Sequence, residues 1–181
     1  MVILFRLSAI FAVLTLFSCS KPSTDAVMCR VSDAISYKKI HAEMGKSFTP
    51  KAAACLIKGS GKVLLIKHRL SGKLDFPGGT WNESESLACT AHRETWEETG
   101  FNVEVKTYLS TTSNGLVIFG CVLSEGIETL PNDFDAPQWA KVEVAKLVKI
   151  DPFMLDHDAL RFADDLIPLR DGYTQFDIKQ H

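Results

Sequence analysis

The chain has 181 residues, 46% of them hydrophobic and 23% charged, with a formal net charge of −2 at pH 7. That length fits one domain with some length over for a leader and a linker, and the composition is globular rather than disordered. A near-neutral charge gives no footprint for duplex nucleic acid, and internal repeats and low-complexity tracts are absent; a polyphosphate stays within reach if metal ions supply positive charge.

Residues 1–18 read as an export leader. Arg6 precedes the run Leu7 to Phe17, apolar except for Ser8 and Thr15, and too short for a membrane span of about 20 residues. The run ends in Leu16-Phe17-Ser18-Cys19, which resembles a bacterial lipobox, with Phe17 bulkier than the residue usual at its position. The resemblance implies lipidation of Cys19 as the new N-terminus. Ser20 after it implies anchoring in the envelope at the outer membrane, on the periplasmic side. An uncleaved anchor, ordinary signal-peptidase cleavage beside Ser18 or Ser20, and a mis-assigned start with a cytoplasmic protein are the other readings.

Four further cysteines follow: Cys29, Cys55, Cys89 and Cys121. An even count in an exported chain permits disulfides, but the spacing is irregular and no CxxC occurs, which argues against a zinc site. Cys55 and Cys121 lie in apolar runs and are expected as small buried hydrophobes rather than as a bridge.

Residues 19–50 divide into a tether over 20–27 and an ambiguous segment over 28–48, and the domain is expected over 51–181. Ala52 to Lys58 and Lys62 to His68 predict two strands joined by a tight turn at Gly59-Ser60-Gly61. Ser71-Gly72-Lys73 predicts another turn, and Phe76-Pro77-Gly78-Gly79 opens a loop. A helix follows, capped by Asn82 or Ser84 with Glu85 in capping-box style, and stopped by Gly100. Strands are expected at Asn102 to Ser110, Gly115 to Leu123 and Gln138 to Val144, with a loop over Ser124 to Pro137. Asp156 to Leu166 predicts a second amphipathic helix, with Leu155, Ala159, Phe162, Ala163 and Leu166 on one face. Elements interleaved without a regular βαβ rhythm predict a mixed sheet covered by helices.

The segment with chemistry runs from Gly79 to Phe101. On a helical wheel Glu94, Glu97 and Glu98 fall within an arc of about 100°, beside the apolar stripe of Leu87, Ala88, Ala91 and Thr95. Like charges at these spacings repel by a few tenths of a kcal/mol each, and the C-terminal half of a helix disfavours anions. Local rules broken together in one place point to a functional site, and a divalent cation is the simplest compensation, since Mg²⁺ and Mn²⁺ prefer oxygen ligands. A solvated acidic helix end is the plain alternative.

The spacing decides between them. Gly79, five residues, Glu85, seven residues, then Arg93-Glu94-Thr95-Trp96-Glu97-Glu98-Thr99-Gly100-Phe101 resembles the Nudix box, with Thr95 where an aliphatic residue is usual. Phe76-Pro77-Gly78 resembles the family's lead-in. The resemblance implies an α/β protein of the α+β type, an αβα sandwich with a mixed β-sheet. It also implies hydrolysis of the diphosphate bond in a nucleoside diphosphate linked to another group, a small-molecule substrate, with Mg²⁺ or Mn²⁺. By similarity Glu97 and Glu98 are metal ligands, together with the carbonyl of Gly78. Glu94 is a further ligand or the general base, Arg93 orients the carboxylates, and Glu85 supports the helix start.

Gly79 and Trp81 are substrate-side candidates, Trp81 by stacking on a base or simply by packing. Asp133 and Asp135 are candidates for a further acidic contribution from the loop past the box, with loop solubility as the plain reading. Trp96, opposite the acids, is expected in the core or at an interface. Lys67-His68-Arg69 could touch phosphates or be solvated, and the five histidines show no ligand spacing. A non-catalytic nucleotide-binding module of the same fold and a structural envelope lipoprotein are the rival functions.

Overall fold

The computed structural model describes residues 27–32, 35, 49–124 and 126–177. The leader and Cys19 lie outside the described residues. The first four strands are β1 (Ala52–Gly59), β2 (Lys62–His68), β3 (Leu74–Asp75) and β4 (Gly78–Thr80). Helix α1 (Leu87–Thr99) separates them from β5 (Glu104–Thr111), β6 (Leu116–Val122), β7 (Asp133–Phe134) and β8 (Val144–Ile150), and α2 (Leu166–Gln175) closes the chain.

The strands form one mixed sheet in the order β5-β6-β1-β2-β8-β7, with β3 added to β2 and β4 to β1. β1 and β6 run parallel, and the other pairs are antiparallel. Ser60 and Gly61 turn the β1–β2 hairpin with φ of 50° and 73°, the left-handed pair that matches strand twist. The continuous apolar runs of the central strands are explained by two-sided burial. Ala53, Cys55, Ile57, Leu64 and Phe119 face one core with Ala88 and Ala91 of α1. Ala54, Leu56, Val63, Leu65 and Ile118 face a second core with Leu166 and Leu169 of α2. The result is the expected αβα layering.

Three expected elements are displaced. α1 is capped by Ser86, whose side chain accepts from the Cys89 N–H, rather than by Asn82 or Ser84. Asn82 instead closes a turn, its Oδ1 accepting from the Ser84 N–H at 3.1 Å. Gln138–Val142 is a 3₁₀ helix led by Pro137, and the strand begins only at Val144. Residues 156–166 carry 3₁₀ turns at His157–Ala159 and Ala163–Asp165, and the regular helix starts at Leu166. Pro168 suits the helix that does form: proline is tolerated in the first turn, where its missing N–H costs nothing.

The cysteine expectation is overturned. Cys55 is bonded to Cys121, and Cys29 to Cys89. β1 and β6 are parallel neighbours with Cys55 opposite Phe119, so Cys55 and Cys121 share a face and their Cα atoms lie 5.5 Å apart, within disulfide range. Only the strand pairing brings them together. The Cys29–Cys89 bond and the pairing of Val31 with Val105 fasten residues 27–32 to the domain.

Candidate active site

α1 lies against β4, and two glycines set the spacing. β4 pairs with β1 at Gly78–Ala54 and Gly79–Ala53. A β-carbon on Gly78 would meet the Ala54 β-carbon at 2.4 Å, and one on Gly79 would meet the Glu94 carboxyl carbon at 2.5 Å. The carboxylates of α1 therefore close onto the bare backbone of β4. The Gly78 N–H donates to Glu98 Oε2 at 2.8 Å. Thr95, where an aliphatic residue is usual in the box, is fully buried and donates from Oγ1 to the Pro77 carbonyl at 3.4 Å, a further tie between helix and strand.

Arg93 organises the other acids. Its Nη2 donates to Glu85 Oε1 and its Nη1 to Glu94 Oε1, each at 2.7 Å, and Nη1 reaches Glu97 Oε2 at 3.4 Å. Nη2 also meets the Thr80 carbonyl at 3.4 Å. One planar fork so ties the helix start, the middle of the helix and β4, and its hydrogen bond to Glu85 foremost holds the guanidinium protonated even more firmly than usual. Among the described residues no three acidic, histidine or cysteine side chains converge on one point: Arg93 holds Glu94 and Glu97, while Glu98 turns to Gly78.

The electrostatics fit a cation. Burial pushes the Glu98 carboxyl well above its ordinary range, against the Gly78 N–H, and Glu94, Asp75 and Glu143 add repulsion. Burial likewise raises Glu94, opposed by Arg93 and reinforced by Glu97 and Glu85. Desolvated carboxylates that repel one another are oxygen ligands of the kind that suits Mg²⁺ or Mn²⁺.

The remaining candidates divide. Gly78 and Gly79 wall a cavity of about 280 Å³ that Asp75, Asn114, Phe162 and Asp165 also line. Trp81 packs, with Nε1 donating to the Glu85 carbonyl at 3.0 Å, and is not part of that wall. Asp133 and Asp135 are exposed and paired with Lys146 at 3.2 and 2.9 Å, and Asp135 also meets Lys141 at 3.5 Å; neither lines the cavity. The acid past the box that acts on Glu98 is Glu143, ahead of β8. Trp96 packs against Trp139, ring centroids 6.0 Å apart. Arg69 binds the Lys141 and Val144 carbonyls, a structural role. Asp75, Glu143 and Asp165 were missed at the sequence level because no spacing relates them to the box. The one local signal was Asp75, directly before Phe76-Pro77-Gly78.

Residues 47–161 match the family model for the NUDIX domain. The chain belongs to the Nudix family. Within it, the chain is 33% identical over 93 residues to a MutT-like protein of Streptomyces ambofaciens, covering 48% of this chain and 60% of that one. It is 28% identical over 102 residues to Phosphatase NudJ of Escherichia coli K12, covering 50% and 67%. The matched segment thus spans 60% and 67% of the length of these two curated relatives. Among solved structures, an ADP-ribose pyrophosphatase from Streptococcus suis superposes with a TM-score of 0.54 at 21% identity, over 70% of this chain and 92% of that one. A UDP-X diphosphatase superposes with a TM-score of 0.55 at 21% identity, over 76% and 70%. At these identities the structural likeness speaks for the fold.

Proposed function

We propose that this Nudix protein is a pyrophosphohydrolase, dependent on a divalent cation, that cleaves the diphosphate bond of a nucleoside diphosphate linked to another group. The observation that carries the reading is the desolvated pair Glu94 and Glu98, pressed against the bare backbone of Gly78 and Gly79, with Arg93 gripping the adjoining acids. Relatives named as a phosphatase, an ADP-ribose pyrophosphatase and a UDP-X diphosphatase support the reaction class.

Glu97, Glu98 and the Gly78 carbonyl would hold Mg²⁺ or Mn²⁺, with Glu94 as a further ligand or as the base for the attacking water. When bound, such an ion neutralises charge on the phosphoryl group and lowers the pKa of water. The chain's own part is positioning. Arg93 holds Glu85, Glu94 and Glu97 in one fork, and β4 fixes how closely the substrate can approach the helix. Glu97, with its side chain 45% exposed, faces the solvent side of the row. Glu143, whose charge acts on Glu98, is the candidate for a carboxylate from beyond the box, since Asp133 and Asp135 are paired with lysines away from it.

The test is phosphate release from a diphosphate panel with Mg²⁺ or Mn²⁺, comparing wild type with Glu97→Gln and Glu98→Gln. A loss of at least about a hundredfold in kcat is expected from removing a site charge that acts in the transition state. Unchanged activity in both variants refutes the ligand assignment. Saturable nucleotide binding without turnover in the wild type favours the non-catalytic module.

We also propose that the protein acts outside the cytoplasm, lipid-anchored through Cys19. Two disulfides support an oxidising compartment. Metabolic labelling with a fatty acid is expected to mark the wild type and not Cys19→Ala; equal labelling excludes Cys19 as the acceptor.

A further inference from the structure

The two disulfides differ in access and in place. Cys55 and Cys121 are fully buried in the core, whereas Cys29 and Cys89 are half-buried. Thiol–disulfide exchange needs access to a sulfur, so a reductant meets the Cys29–Cys89 bond first. That bond is also the one beside the carboxylate row. Cys89 stands on α1 about one turn before Arg93, and Glu97 about one turn after it.

Residues 30–32 are held without the disulfide. The Val105 N–H donates to the Arg30 carbonyl and the Ser32 N–H to the Val105 carbonyl, each at 2.9 Å. Arg30 Nη1 donates to the Asn102 carbonyl at 3.1 Å. The segment is thus a strap with two fastenings. One joins it to β5 and to the chain just past α1; the other is covalent and joins it to the front half of α1. Val27 and Cys29 line a cleft of about 220 Å³ together with Glu85, Cys89, Arg93 and Glu97. Among the described residues this cleft shares no wall with the cavity bounded by Gly78 and Gly79. Arg93 grips Glu85, Glu94 and Glu97 from a long side chain that is 35% exposed. A planar fork on so long an arm keeps its partners only while its base is fixed and its freedom is limited. The covalent fastening does both: it fixes the turn of α1 that leads into Arg93, and it keeps Val27 and Cys29 as a wall beside it.

We propose that the Cys29–Cys89 disulfide is a positioning element for hydrolysis, holding the strap beside Arg93 so that the enzyme runs at full rate only while this bond is oxidised. A dithiol reductant supplies two electrons and two protons; the S–S bond becomes two thiols, and the reductant closes to its own disulfide. The strap then stays paired with β5 but leaves α1, and Arg93 loses its fixed hold on the acids. The proposal rests on the diphosphate-hydrolase reading for its rate, and a binding measurement tests it without turnover.

The experiment is a dithiothreitol titration of the full-length protein below its melting midpoint. After removal of excess reagent, each step is sampled by alkylation with mass mapping, by kcat and KM, and by equilibrium binding of Mn²⁺. Cys29 and Cys89 are expected to alkylate before Cys55 and Cys121. As their bond opens, kcat falls about ten- to a hundredfold while KM moves little. Mn²⁺ binding weakens about tenfold, as when a group that orients metal ligands is lost. Reoxidation of samples not alkylated restores both, and Cys29→Ser shows the lowered values without any reductant. A bond that serves only as a staple would lower the melting midpoint and leave kcat and Mn²⁺ affinity as they were. That result, with Cys29 and Cys89 fully alkylated, overturns the proposal, as does a change that arrives only when Cys55 and Cys121 open. Loss of Mn²⁺ affinity on opening the bond, with every diphosphate uncleaved in both states, sinks the hydrolase reading alone. Cleavage at one rate in both states sinks this proposal alone.

Discussion

At Gly79 the demand for glycine comes from a side chain, and at Gly78 from backbone. A methyl at Gly79 collides with the Glu94 carboxylate, which can rotate away; one at Gly78 also meets the Ala53 carbonyl oxygen at 2.6 Å, which cannot yield easily. The two substitutions should therefore separate. Gly79→Ala is expected to lower hydrolysis at least about tenfold while moving the melting midpoint little, and Gly78→Ala to destabilise the fold by about 1–3 kcal/mol. Parallel melting curves and rate measurements check this, and equal destabilisation by both contradicts it. Asp165 makes a pH-dependent prediction. Burial foremost raises its carboxyl from 3.8 to about 6, Asp75 and Asp164 adding repulsion and Asn114 opposing. Arg161, held by Asp75, is the cation in the cavity wall. The folded state binds this proton more tightly than the unfolded chain. Stability from this group is thus full below pH 3.8 and is lost as pH rises through about 6. Asp165→Asn should accordingly be more stable than wild type at pH 7.5, on the order of 1 kcal/mol after screening by cavity water, and should lose that advantage near pH 4. An unchanged difference between the two pH values contradicts the assignment.

At the scale of elements, α1 is set by its ends and by one cross-tie. Ser86 caps it, the Gly100 N–H returns to the Trp96 carbonyl, and Thr95 reaches the Pro77 carbonyl. Thr95→Val keeps the shape and deletes that hydrogen bond. A cost of about 1 kcal/mol is expected in denaturant unfolding; a more stable variant would show that the hydroxyl serves no structural purpose. The box helix was legible because a fixed spacing and a terminal glycine act locally. Its cap was misplaced by a few residues because Asn82, Ser84 and Ser86 all have capping side chains, and only the approach of β4 selects among them. The second helix was misjudged because the apolar spacing of Leu155, Ala159, Phe162 and Leu166 fits a helical face, whereas the packing of Leu166 and Leu169 on the sheet places the regular turns later.

For the whole molecule, the strands were legible in the apolar runs of β1, β2 and β6 and the layering in the interleaving of strands with helices; burial of those strands on both faces is what the structure adds. What joins distant segments was not. The bonding of Cys55 with Cys121 depends on the parallel pairing of β1 and β6, and Asp165 meets Asp75 only after α2 has folded onto the sheet. Both disulfides close loops of sixty residues or more, so their reduction is expected to lower stability by about 2–4 kcal/mol each. Thermal melts with and without a reducing agent check this, and coincident curves contradict it. The central claim is that the carboxylates of α1, forced together against the bare backbone of β4, are compensated by a divalent ion. It is tested most directly by equilibrium binding of Mn²⁺ to the metal-free, full-length protein, read from the loss of the free-ion electron paramagnetic resonance signal. Saturable binding that weakens at least about tenfold in Glu98→Gln is the predicted result. A wild-type chain that takes up no Mn²⁺, with or without a nucleoside diphosphate present, would contradict the account.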